Sequence, residues 1–155
     1  MISQRGMAYK QLIDPIGNAG DPSEETLDTI GWRHVTIIVG IGNQASNCSV
    51  LKLQEGDASN MSDAADIAGA TFDGGTNIDG TTLALPLAST GDDDLCIFEL
   101  DLSASRKRYV RPAVTIAGAT SGVYCVAILS DATNAPDSQA DHGVTGSDIF
   151  GIIRV

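Results

Sequence analysis

A serine nucleophile needs a histidine base in hydrogen-bond reach and a carboxylate to orient it. The chain supplies serines and acids freely but only two histidines, His34 and His142, and neither stands in a recognisable nucleophile motif. His34 falls inside a strand-like run, where an exposed or hydrogen-bonded imidazole is expected rather than a ligand. Cys48, Cys96 and Cys125 are far apart, show no CxxC spacing and have no histidine beside them. Each lies in or next to an apolar run, so they read as small buried hydrophobes, and their odd number argues against a secreted disulfide framework. Asp92, Asp93 and Asp94, with Asp79, offer oxygens of the kind Ca²⁺ prefers, but the Asp-x-Asp-x-Asp-Gly spacing with a distal Glu is missing and Thr90-Gly91 beside them signals a solvated turn. Paired carboxylates for glycoside cleavage are available only in the generic sense that any two of twenty acids can meet. The glycine-rich segments lack the GxxxxGK[ST] and GxGxxG contexts that cradle phosphates. No catalytic residue, metal or cofactor is assigned on this basis, and the chain is not read as an enzyme.

One charge feature departs from the rest. Arg106, Lys107, Arg108 and Arg111 are four of nine basic residues in a chain with twenty acids and a net charge of −11. Such an acidic chain is poorly suited to a phosphate backbone, whose binding draws on Lys and Arg that displace counterions, and Tyr109 alone makes no aromatic platform for RNA. Two readings of the cluster stand side by side. It neutralises nearby acids, such as Glu99 and Asp101 on a neighbouring strand, or it meets an acidic partner surface, where Arg forms bidentate bonds to carboxylates.

The elements that must carry these residues are short strands. The run from Trp32 to Ile41 alternates Val35, Ile37, Val39 and Ile41 with a mixed face, and Cys48 to Glu55 sets Leu51 and Leu53 against Lys52 and Gln54, so the two read as a hairpin across a polar Gly42-Asn43 turn. Leu95 to Leu102 places Cys96, Phe98, Leu100 and Leu102 on one face. Tyr109 to Ala117 and Gly122 to Ser130 read as a second hairpin at the centre of a sheet, with Pro112 implying an edge or a bulge. Residues 56–70 read as a loop holding one helical turn, with Met61, Ala64 and Ile67 packing inward, and Leu83 to Leu87 as an edge strand limited by Pro86. At 155 residues, with 5% aromatics, 17 glycines and no long amphipathic helical segment, the chain predicts a single all-β domain, an antiparallel β-sandwich or jelly roll. Residues 1–28 read as an N-terminal arm and exposed loop, in which Met1 to Ile13 is a first strand or an arm, and 29–155 as the sandwich with a docking tail. In that tail, Ile149, Phe150, Ile152, Ile153 and Val155 are too apolar to be left in water. Neither a signal peptide nor a membrane-length apolar run is evident, so a soluble protein made in a reducing cytoplasm is expected.

Two stretches carry a resemblance. VLKLQEGDASNMSDAADI, a strand ending in Leu-Gln-Glu before an acidic loop, and SRKRYVRPAVTIAGATSGVYCVAILSDA, with its Lys-Arg-Tyr-Val-Arg lead-in, resemble the head decoration, or capsid cement, proteins of tailed bacteriophages. With the Trp32 to Ile41 strand they span about two thirds of the chain, taken in the same order. The resemblance implies a β-sandwich that binds the major capsid protein on the outside of the virion and reinforces the shell, commonly as a trimer. Residues 1–28 and 149–155 fall outside the resembling pattern. A receptor- or carbohydrate-binding module of a tail or fibre is the alternative, and it would need exposed aromatics for sugar stacking, in which one Trp and three Tyr are a small supply.

Overall fold

The computed structural model describes residues 6–18, 24–88, 93–103, 105–116 and 121–133. Eight strands account for most of them: β1 (Met7–Asn18), β2 (Leu27–Asp28), β3 (Trp32–Ile41), β4 (Cys48–Gly56), β5 (Ala65–Thr71), β6 (Asp94–Asp101), β7 (Tyr109–Ile116) and β8 (Ser121–Ala132). They form two four-stranded sheets, ordered β1-β8-β3-β6 and β2-β7-β4-β5. Every pairing is antiparallel, and β1 pairs with β8, β2 with β7, β3 with β6 and β4 with β5. A chain folded into one long hairpin and then wrapped so that its arms alternate between two sheets gives this order, which is the jelly roll.

The core between the sheets is what the alternation predicts. Val35, Ile37, Val39 and Ile41 of β3, with Val123, Cys125 and Ala127 of β8 beside them in the same sheet, face Leu51 and Leu53 of β4 and Val110, Val114 and Ile116 of β7, all essentially excluded from solvent. Each such aliphatic side chain contributes about 1.5–3 kcal/mol against chain entropy. Phe72 meets Phe98 edge to face, ring centroids 5.1 Å apart, where β5 and β6 flank the two sheets.

Four expectations are corrected. Neither proposed hairpin exists: β3 and β4 lie in different sheets, as do β7 and β8, so the connections after Ile41 and Ile116 cross the sandwich instead of turning back. β7 and β8 are nonetheless both interior strands. Residues 65–71 form β5 rather than part of a helical loop, because Asp66 is held against Lys52 and Gln54 of β4 while Ile67 turns into the core. Met61 is buried at a left-handed turn, φ 55°, as an anchor of the loop before it. Leu83 to Leu87 makes no strand: the backbone of Leu83 bonds to Gly75, and the Pro86 carbonyl accepts from the Cys48 N–H at the start of β4. Within the segment read as an arm, residues 7–18 are β1, paired along its length with β8, with register shifts flanking Ile13 on this edge strand. Residues 149–155 lie outside the described residues.

Pro112 shows how a proline is carried by an interior strand. β2 reaches along β7 only as far as Val110, and further on Val114 donates its N–H to the Glu24 carboxylate, away from β4. Pro112, two residues earlier, has its ring nitrogen on the same side, so the β4 ladder loses no donor there.

Candidate functional site

The basic cluster lies where the chain leaves β6 and starts β7, and each of its side chains is engaged within the protein. Arg108 grips Asp28 of β2 with two nitrogens, at 2.9 and 2.6 Å, and lies 5.0 Å from the centroid of the Tyr109 ring. That hydrogen bonding holds the Asp28 carboxyl below its usual range and raises Arg108. Arg106 lies 3.6 Å from Glu55, while Lys107 lies 3.3 Å from Asp63 and 3.8 Å from Asp57. Arg111 places two nitrogens on the Gln54 amide oxygen, at 3.1 and 2.9 Å. The expected partners Glu99 and Asp101 belong to β6 in the other sheet; the acids that meet the cluster come from β4, the turn after it, and β2. Sequence reasoning missed Asp28, Gln54, Glu55 and Asp63 as partners, because nothing local shows that β7 pairs with β4.

Asp63 organises the acidic turn. Its carboxylate accepts the N–H groups of Asp57 and Ala58, at 2.8 and 3.1 Å, and these bonds, with Lys107, bring it down to about 2. Beyond Arg111 the contacts continue across the sheet. Gln54 Nε2 donates to one oxygen of Asp66 and Lys52 Nζ to the other, at 2.9 and 2.6 Å, so the Asp66 carboxyl is also held low. A polar chain therefore crosses β7, β4 and β5 on the outer face of this sheet.

A second feature is a cleft between the edge strands β5 and β6, with a volume of about 370 Å³. Phe72, Phe98 and Leu83 contribute its apolar lining, and Glu99, Asp101 and Arg106 its charges. Ring edges beside carboxylates suit a small polar ligand with an apolar face.

The remaining candidates resolve individually. In register, Asp101, His34 and Ser130 stand in one row across β6, β3 and β8, with Ser130 Oγ 3.3 Å from His34 Nδ1. These are the residue types of a hydrolytic triad. Yet β8 is an interior strand whose backbone N–H groups serve the ladders on both sides, and one Asp101 oxygen accepts the Ser103 N–H and hydroxyl. The three thiols are buried and free; burial raises Cys48, pushes Cys96 up to about 11 and Cys125 up to about 12, so they stay protonated and unreactive near neutrality. Among the described residues no three His, Cys, Asp or Glu side chains converge as a metal site, and Asp93 occupies a left-handed turn position, φ 63°, just before β6. Asp92 and His142 lie outside the described residues, as do Ile149, Phe150, Ile152, Ile153 and Val155. Among the described residues no helix is long and apolar enough to cross a membrane.

No family model matches the chain, and no curated protein matches it. Among solved structures it is similar to the crystal structure of the SPBc2 prophage-derived protein YomS, with 12% identity, 81% of this chain and 93% of that chain covered, and a TM-score of 0.48.

Proposed function

We propose that this chain is a non-enzymatic virion protein of a tailed bacteriophage that binds the major capsid protein on the outer surface of the head and stabilises the shell. The observation that carries the reading is that the two stretches resembling head decoration proteins interlock in space. The first supplies β4, the acidic turn and part of β5; the second supplies the basic lead-in, β7 and β8. β4 pairs with β7 from Cys48↔Ile116 to Gly56↔Tyr109, and the Glu55–Arg106, Asp63–Lys107 and Gln54–Arg111 contacts each join one stretch to the other. Two segments about fifty residues apart thus form one physical unit, which is what a shared fold requires of a shared pattern. A lattice also suits a modest binding surface, because many weak contacts on one particle sum to stable attachment.

Docking is assigned to the chain ends, residues 1–5 and 149–155, and to Arg106, Lys107, Arg108 and Arg111. Those four are already paired, so the capsid must compete with Asp28, Gln54, Glu55, Asp57 and Asp63 for them. The test is sedimentation of the purified protein with heads that lack it, before and after shell expansion. Saturable binding to expanded shells is expected; absence of binding to either form contradicts the proposal. If binding is seen, Arg106→Ser with Lys107→Ser should weaken it most at low salt.

The cleft between β5 and β6 favours a second reading, a carbohydrate-binding module of a tail or fibre. Failure to bind shells, together with retention on a glycan surface that Phe72→Ala abolishes, would move the assignment there.

A further inference from the structure

The four sheet edges are not built alike. An edge strand leaves a row of backbone N–H and C=O groups that can template pairing with another chain, and folds blunt it with bulges, prolines, lysines or brevity. β1 carries Lys10, Pro15 and two register shifts, β2 has two residues, and β5 has a register shift and Gly69 at φ +81°. β6 has none of these. It pairs with β3 at eight consecutive positions without a shift, and its sequence, Asp-Leu-Cys-Ile-Phe-Glu-Leu-Asp, holds no Pro, Gly or Lys.

The phase of the β3–β6 ladder shows what this edge presents. The Leu102 N–H donates to the Arg33 carbonyl at 2.7 Å, so in this antiparallel pair the backbone groups of Leu100, Phe98 and Cys96 also turn toward β3. Those of Leu95, Ile97, Glu99 and Asp101 therefore turn away from it, about 6.8 Å from one to the next. Among the described residues, none bonds to the outward backbone groups of Leu95, Ile97 or Glu99. The cleft opens along this same edge. Ile97 to Asp101 run along one side of it and Ile67 to Phe72 of β5 along the other, with Phe72 and Phe98 in its lining.

We propose that the β6 edge takes up an extended segment of a partner protein by strand addition, a segment with apolar residues on one side and Lys or Arg on the other. The backbone selects an extended chain, since a strand matches alternate donors and acceptors at that repeat. The cleft selects the apolar side, because inward side chains of an added strand meet Phe72, Phe98 and Leu83. Charge selects the other side. The only charged side chains of β6 are acidic, Glu99 and Asp101 among them, while Arg106, the cation of the cleft, lies 3.6 Å from Glu55. The same carboxylates repel the β6 edge of a second copy, so a basic segment is favoured over self-pairing.

The inference does not rest on the capsid reading, because a strand can add to this edge whether or not the chain binds shells. The test is an amide-shift titration of the full isotope-labelled chain with an end-blocked peptide alternating Val and Lys, eight residues long to match β6 and carried to millimolar concentration. Shifts and slowed exchange are expected at Leu95, Ile97 and Glu99, and the peptide with Glu in place of Lys should bind at least about tenfold more weakly. Two N-methylated peptides separate strand addition from adsorption of lysines on an acidic protein. The amides of the valines face one edge of the peptide strand and those of the lysines the other, so methylating one set should abolish binding and methylating the other should spare it. Ile97→Pro removes an edge N–H and no bond to β3, and should raise the dissociation constant about tenfold or more. Glu99→Lys leaves every backbone group in place and should weaken binding at low salt. Unmoved edge amides at millimolar peptide overturn the proposal, as does equal binding of the two methylated peptides. A glycan that shifts the Phe72 and Phe98 rings while the peptide moves nothing gives the cleft to a sugar instead. Edge amides already protected in the chain alone, and released when residues 149–155 are removed, give the edge to the chain's own tail and overturn it too.

Discussion

On the outer face of the β2-β7-β4-β5 sheet, Arg111, Gln54, Asp66 and Lys52 join three strands in one hydrogen-bonded chain. On the opposite outer face Ile97, Ile38 and Val126 form a row of the same width without a polar atom in any side chain. Both sheets bury equally apolar inner faces, so the core does not demand the difference. Lateral hydrogen bonds and an ion pair tie the strands of the first face together, whereas this row of the second offers only apolar surface.

Substitutions can be chosen to break this contrast or sharpen it. The largest effect belongs to the shared interior. Ile37→Ala should cost about 2–5 kcal/mol in urea unfolding of the dilute protein, and Ile97→Ala, on the same sheet but facing outward, about 0.5 kcal/mol or less. Equal costs in dilute solution would mean that the outer face is already packed within one chain. Gly40→Ala comes next. The Tyr124 ring must swing off the sheet, at about 1 kcal/mol or less because it is the far end of a side chain that moves, a loss that urea unfolding would read. On the charged side, Arg108→Ala should lower stability only slightly in urea unfolding, the loss shrinking as salt is added, since the pair with Asp28 is half exposed. The smallest effect is with pH. The Asp63 carboxyl ionises near 2 in the folded protein against an ordinary 3.8, so its contribution is fully present above about 4 and is lost as the pH falls toward 2. A melting-temperature series in acid should therefore be shallower for Asp63→Asn than for the parent protein.

Much of the sandwich was legible in the sequence because period-two alternation marks a half-buried strand whatever its partner. β3 begins and ends at Trp32 and Ile41 as the pattern indicates, and Cys96, Phe98 and Leu100 point inward from β6. Pairing was not legible. A polar turn such as residues 42–47 crosses the gap of about 10 Å between two sheets as readily as it closes a hairpin, and this one crosses. β5 escaped notice because Ala65–Thr71 is mostly Ala, Gly and Asp, poor strand formers, and is held in place by Asp66 contacts to Lys52 and Gln54, fourteen and twelve residues earlier in the chain. The basic cluster was plain in composition, but its partners follow from the β4–β7 pairing and so were assigned to the wrong sheet. The apolar row of the outer face lay in view as Ile38 and Val126 among their inward-facing neighbours, but that both stand beside Ile97 follows only from the strand pairing.

Tyr124 and Tyr109, one from each outer face, permit a direct test. Tyr124 lies across Gly40 on the apolar face, and Tyr109 lies beside Arg108 on the charged one. Hydroxyl-radical footprinting of the dilute folded protein reads both, together with the inner face. The account predicts ready modification of Tyr124, Leu95 and Ile97 while Val35, Ile37 and Val39 of the same sheet stay protected until the protein unfolds. Protection of Leu95 and Ile97 equal to that of Ile37 and Val39 would contradict it.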